Sequence, residues 1–346
     1  MKSSYRAIQV TKPGMLELVE RPTPSPSHGE VLISVEACGI CGADANDIEG
    51  VNPSTQPPRV PGHEIIGRLV ALGDGVASIW KPGQRVGIGR LGGHCNECSQ
   101  CRRGQFQLCQ NQPITGVSRD GGYAEMLLAL ATGLVAIPNE LEPEEAAPIL
   151  CAGIATFNAL KKCGAEAGDL VAILGIGGLG HMALQYASKM GFKVVAIGRG
   201  NDIEADALGL GAHRYIDSKE EDAAATLKAT GGAQAIIATI NDPVAIAALL
   251  PSLAPQGRLV VLSAGKEPLP VPIGQLVGGE RGIVGSITGS PFESEKALQF
   301  SLLAGVRPRI ETFPLEQAFE AYRRLKSGEA KFRMVLTMEG SRDAHQ

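Results

Sequence analysis

Leu170-Val171-Ala172-Ile173-Leu174-Gly175-Ile176-Gly177-Gly178-Leu179-Gly180-His181 is the stretch on which the fold turns. Five consecutive apolar residues predict a strand buried on both faces, as parallel sheets require. Residues 175–180 then fit G-x-G-x-x-G, and 181–190 have helical composition closed by Gly191. Alone, the glycine match is weak. Between a buried strand and a helix, its amides can meet a pyrophosphate at the positive end of that helix. A glycine-rich turn without a ligand is the plainer alternative. Working outward, Lys193-Val194-Val195-Ala196-Ile197 predicts the next strand, and 235–239, 258–262 and 282–285 predict further ones with helices between. Strands alternating with helices mean an α/β fold with a doubly wound parallel sheet.

Which dinucleotide such a loop takes depends on the end of the second strand. An NAD site places a carboxylate there for the ribose hydroxyls. Here the strand ends Ile197-Gly198-Arg199-Gly200. Gly198 leaves room for a 2′-phosphate, Arg199 can pair with it, and Asp202 follows one turn too late. The expectation is NADP(H) in preference to NAD(H), with Gly175, Gly177, Gly178, Leu179, Gly180, Gly198 and Arg199 as its contacts.

The most specific signal lies in the first third. Cys95, Cys98, Cys101 and Cys109 are separated by two, two and seven residues. Disulfide scaffolds belong to short secreted chains, whereas this one has 346 residues and 8 cysteines. A bacterial iron–sulfur motif would close with C-x3-C-P; here the last gap is longer and Gln110 follows Cys109. Four-thiolate zinc remains, and a closed site of that kind is structural and a poor Lewis acid.

Hydrophobic residues make up 44% and charged residues 20%, ordinary for a globular protein, and the net charge of −4 argues against a nucleic-acid partner. No apolar run is long enough to span a membrane. Unpaired cysteines and an N-terminus without the apolar core of a signal peptide point to the cytoplasm. The first third reads as β-rich, with strands at 30–36, 65–72 and 85–88. Pro22, Pro24 and Pro26 predict a stiff connector. Around Pro143 the texture changes, and 144–162 is helix-like. After Ser290 come two helices, 293–304 and 315–326, and a last strand, 332–338.

Chemistry needs a second metal site if the four-cysteine loop is closed. Cys41, His63 and Cys151 are candidates: two thiolates and a neutral imidazole balance a 2+ ion and leave its fourth position open. Singly they are weak, because a buried cysteine is more often core filler and His63 could merely cap a turn. Among the 6 histidines, His63 is the best placed.

Taken in order, Cys38-Gly39-Ile40-Cys41, Pro61-Gly62-His63-Glu64, the 95–109 loop, Leu150-Cys151-Ala152-Gly153 and the glycine loop resemble the zinc-dependent medium-chain alcohol dehydrogenases. The resemblance spans nearly the whole chain. It implies a GroES-like catalytic domain in two segments, 1–150 and 286–346, around a Rossmann domain at 151–285. It implies that Cys41, His63 and Cys151 bind catalytic zinc, that Asp44 orients His63, and that Glu64 lies just behind the metal. Relatives of this size form homodimers or homotetramers and act on a small-molecule alcohol, aldehyde or ketone.

Two departures stand out. The family usually has Ser or Thr two residues after the first zinc cysteine, to relay the substrate proton; this chain has Ala43. Neighbouring relay positions hold Gly42 and Asn46. Where relatives often place an aromatic wall, this chain has Arg90, which either meets a polar substrate or points outward to pair with an acid. The leading expectation is an NADP(H)-linked zinc alcohol dehydrogenase. A conjugate reductase of enals or enones, which dispenses with the hydroxyl relay, is the alternative. A third is a zinc- and nucleotide-binding protein without turnover.

Overall fold

Leu170–Leu174 lies at the centre of a six-stranded sheet whose spatial order is Arg214–Asp217, Lys193–Gly198, Leu170–Leu174, Ala233–Ala238, Leu253–Val261, Gly282–Gly285. Every pairing in it is parallel. Counted from Leu170–Leu174, the order is 3-2-1-4-5-6, so the winding reverses beside that strand, where open α/β sheets bind ligands. Val171, Ala172 and Ile173 are fully buried, which is why the strand is an unbroken apolar run. The computed structural model describes residues 3–338. They divide into two compact units: residues 3–151, 289–303 and 307–338, and residues 152–288 with 304–306.

The first unit is built on a seven-stranded sheet. Its order runs Ile310–Pro314, Arg333–Thr337, Glu30–Ile40, Glu64–Leu72, Arg85–Ile88 and Leu134–Ala136, with Met126–Leu130 also paired to Glu30–Ile40. Alternating residues of these strands, Val31, Ile33 and Val35 among them, join a core that includes Ile65, Val86, Tyr123 and Leu336. Arg333–Thr337 runs antiparallel to Glu30–Ile40 with Met334 opposite Ile40, and Gly39 lies opposite Glu64. The register therefore gathers Cys41, Glu64 and Arg333 at one end of three adjacent strands. An N-terminal hairpin, Ser4–Lys12 with Met15–Pro22, also forms. Pro22 belongs to its second strand, so the expected proline connector starts one residue later.

The helix expected over 144–162 is interrupted. Pro143–Pro148 is α-helical, Ile149–Gly153 is a wide π-type turn, and Ile154–Lys162 resumes the α-helix. Such wide turns recur at functional sites because the extra residue re-aims side chains, and Cys151 sits in this one. The helix after the glycine loop spans Gly180–Lys189, one residue earlier than expected. Among the described residues no helix is long and apolar enough to cross a membrane.

Candidate active site

Cys41 follows the long strand Glu30–Ile40 and caps the short helix Gly42–Ile48. Asp44, in the first turn, accepts a hydrogen bond from the Cys41 amide at 2.9 Å, which fixes the strand-to-helix corner. The other Asp44 oxygen lies 2.7 Å from Nδ1 of His63, and the Tyr123 hydroxyl donates to Asp44 at 3.1 Å. Both the His63 and Asp44 side chains are sealed from solvent. Gly62, with φ +97°, lets the chain pass beneath the Tyr123 ring: a Cβ there would lie 2.3 Å from a ring carbon. His63 is thereby clamped with Nδ1 on Asp44, while its buried Nε2 has no hydrogen-bond partner among the described residues.

Around that orphaned nitrogen the chain brings together Cys41, Glu64 and Cys151, whose donor atoms with that of His63 all lie within 4.8 Å of one another. The two sulfurs are 3.8 Å apart. Their hydrogen bond pulls the Cys41 thiol well below its ordinary pKa, against burial and with help from His63. The same bond, with burial, pushes Cys151 well above it. The pair thus shares one proton where a cation would let both ionise. Burial lowers the basicity of His63, but Asp44 and Cys41 more than offset this and bring it to about 10. An imidazole tied to Asp44 through Nδ1, with Nε2 turned to the sulfurs, fits a metal, which would take the place of the second ring proton that a value of about 10 retains without one.

Glu64 is set back against Arg333. The two form a fully buried ion pair, with Glu64 Oε2 and Arg333 Nε left unpartnered among the described residues. Burial raises the Glu64 carboxyl, Arg333 lowers it, and the balance stands at about 7. Gly39 is glycine for this reason: a Cβ there would lie 2.0 Å from the Glu64 carboxylate. Cys38, by contrast, is a buried neutral thiol, raised by desolvation and then by Asp44, and serves the core.

The 95–109 loop makes a second cluster, its four sulfurs also within 4.8 Å of one another. Amides point at the sulfurs: Cys98 N donates to Cys95 at 3.4 Å and Cys101 N to Cys98 at 3.5 Å. Asn96, at φ +64°, makes the tight turn this requires. The Cys98 and Glu97 amides bring Cys95 down to about 6, whereas burial and the bond to Cys98 drive Cys101 up to about 12. Four thiolates cannot coexist there without a cation, and four sulfurs with no other donor suit zinc.

In the parallel sheet, the three motif glycines play distinct parts. Gly175 turns at φ +90° where a Cβ would strike Ile240 at 2.3 Å; Gly180 packs onto Gly175 O, 1.9 Å from where a Cβ would stand; a Cβ built on Gly177 would meet nothing within 4 Å. Tight turn, close packing and open approach are what a pyrophosphate loop needs. Gly178 and Leu179 lead into the helix. A cleft of about 800 Å³ opens beside Gly175, Gly198, Arg199, Asp202 and Glu221.

Comparison with known proteins gives the family. Residues 27–139 match the alcohol dehydrogenase GroES-like domain and residues 178–302 the zinc-binding dehydrogenase domain. The chain is 41% identical over 343 residues to alcohol dehydrogenase patD of Penicillium expansum, covering 97% of this chain and 98% of that protein. It is 40% identical over 333 residues to an alcohol dehydrogenase of Geobacillus stearothermophilus, covering 96% and 98%. A cinnamyl alcohol dehydrogenase from Sorghum bicolor superposes with a TM-score of 0.88 at 29% identity, covering 96% of this chain and 97% of that one. The chain belongs to the zinc-dependent medium-chain alcohol dehydrogenases. It is an oxidoreductase, with the GroES-like and Rossmann-like folds of that family.

The structure adds detail to three expectations about this dehydrogenase. Arg90 pairs with an acid, as one of its two readings had it, but turns inward to do so: its guanidinium meets Asp47 at 3.0 Å and stands 3.5 Å from His63 Nδ1. Gly198 has a packing reason as well, since a Cβ there would lie 2.3 Å from the Tyr215 hydroxyl. Asp202 folds back to within 2.9 Å of a Cβ built on Gly200 and lines the same cleft as Gly198 and Arg199. Arg333 and Tyr123 escaped the sequence reading as neighbours of the site. For Arg333 a signal existed, a charged residue heading the apolar run Met334-Val335-Leu336.

Proposed function

We propose that this dehydrogenase interconverts an alcohol and its aldehyde or ketone with NADP(H), at a zinc held by Cys41, His63 and Cys151. The observation that carries this reading is the buried, partnerless Nε2 of His63 beside two cysteine sulfurs that lie 3.8 Å apart. Zinc in such a site supplies a Lewis acid for the substrate oxygen. The chain's own residues do the rest. Asp44 orients the His63 ring through Nδ1, so that Nε2 is the nitrogen that would meet the metal; Arg333 balances Glu64 so that a second negative charge does not crowd the thiolates. The four cysteines of the 95–109 loop hold a second zinc as a staple. In this reading 1–150 with 286–346 form the catalytic domain and 151–285 the cofactor domain.

For the cofactor, Arg199 at the mouth of the cleft favours the 2′-phosphate, and its charge suits a phosphate whether or not Gly198 makes room. A second reading, NAD(H), is favoured by Asp202 in the same cleft, placed to accept ribose hydroxyls. Comparing NADPH and NADH in titrations decides between them.

For the reaction, Ala43 cannot relay a proton, which favours conjugate reduction of an enal as the competing chemistry. Cinnamaldehyde and NADPH separate the two. The primary reading predicts cinnamyl alcohol; the saturated aldehyde as product would overturn it. Sedimentation would give the oligomeric state, expected to be a homodimer or homotetramer.

A further inference from the structure

Arg90 follows the strand Arg85–Ile88, and Gly89 before it runs so close to the cysteine-bearing turn that a Cβ would lie 3.1 Å from Leu150 O. This carries the guanidinium to the edge of the metal-binding cluster, against the His63 ring. Asp47 anchors it through one nitrogen, Nη1 to Oδ2. The other Asp47 oxygen is already occupied by the Asn52 amide at 2.8 Å and the Thr55 hydroxyl at 3.3 Å. Asp47 is thus pinned in the interior, 3% exposed, while the Arg90 side chain keeps 24% of its surface open.

The bond to Nη1 leaves Nε and Nη2 without an acceptor among the described residues. In a planar guanidinium those two nitrogens present parallel N–H groups along one edge, the arrangement that receives both oxygens of a carboxylate. An arginine that is anchored at one nitrogen, cannot lose its proton and offers a whole free edge is preorganised for such a group. We propose that Arg90 is a specificity-determining residue that binds a carboxylate, or an equivalent pair of oxygen acceptors, on the alcohol or aldehyde substrate. The guanidinium touches the ring of His63, so the carboxylate lies a few bonds from the reacting carbon. This rests on the zinc-site reading of Cys41, His63 and Cys151.

Benzaldehyde and its 2-, 3- and 4-carboxy derivatives test it, because the isomers step the carboxylate away from the reacting carbon. One isomer is expected to exceed benzaldehyde in kcat/KM. The ratio of that isomer to benzaldehyde is expected to fall by about 10–100-fold in Arg90→Met, the worth of a charge-assisted pair. Arg90→Lys, which keeps a cation on Asp47 but loses the planar edge, is expected to lose most of the ratio too. It carries the test if the methionine variant loses zinc. Preference for benzaldehyde over all three isomers, or a ratio unchanged in both variants, would overturn the assignment. Absence of turnover with every aldehyde would instead refute the zinc-site reading. Calorimetric titration with benzoate then decides Arg90 by itself: binding lost in the variants supports it, and no binding to the unsubstituted protein overturns it.

Discussion

Replacing Arg333 with methionine would strand Glu64. The two side chains are 3% and 0% exposed, on neighbouring regions of one sheet, and water cannot take the place of the lost partner. Breaking a buried pair from one side costs about 3–5 kcal/mol, because the remaining charge is left uncompensated. Removing both charges is a different perturbation. Glu64→Met/Arg333→Met exchanges the pair for flexible apolar side chains and should return to within about 1–2 kcal/mol of the parent. Trp80, the single tryptophan, packs against the core of the same unit, so its fluorescence reports that unit's unfolding in urea. With a urea slope of about 2–3 kcal/mol per molar, the single variant should lose about 1–2 M in midpoint. Zinc content must be matched across the three proteins. A single variant within about 0.3 M of the parent, or a double variant no better than the single, would refute the claim that Arg333 compensates a buried carboxylate.

Other perturbations reach the remaining parts of the account. Asp44→Asn should weaken zinc at the Cys41–His63–Cys151 site by about 10–100-fold, read by chelator competition, while the four-cysteine zinc is retained. Cys98→Ser should remove one zinc and lower the thermal midpoint while the folded fraction keeps its kcat; loss of kcat at full stability would contradict a purely structural role. Arg199→Ala should raise the Kd for NADPH by about 10-fold or more and leave NADH little changed, whereas equal weakening of both would remove Arg199 from the 2′-phosphate.

What could be read in the sequence was whatever depends on local pattern. The apolar run Leu170–Leu174, its glycines and the next strand announce a parallel sheet, because strand burial, turn sterics and helix polarity act over a few residues. The 95–109 loop is equally local, and its amide–sulfur bonds confirm why the spacing matters. Cys41, His63 and Cys151 were legible through spacing and family resemblance, not through any single residue. The surroundings were not legible, since they depend on register between distant strands. Arg333 meets Glu64 only because Arg333–Thr337 pairs with Glu30–Ile40, which pairs with Glu64–Leu72. Arg90 finds Asp47 across 43 positions of chain, and Gly198 answers to Tyr215, from the next strand of the sheet. The hairpin Ser4–Lys12 and Met15–Pro22 was missed because Glu17 and Glu20 place charge in a largely exposed strand.

Zinc per chain, measured by elemental analysis on the parent and on His63→Ala, tests the central claim most directly. The account predicts two zinc ions in the parent and one in the variant, with turnover of alcohols lost and the 95–109 site still filled. A fully active parent with one zinc, or a His63→Ala protein that keeps two, would contradict it.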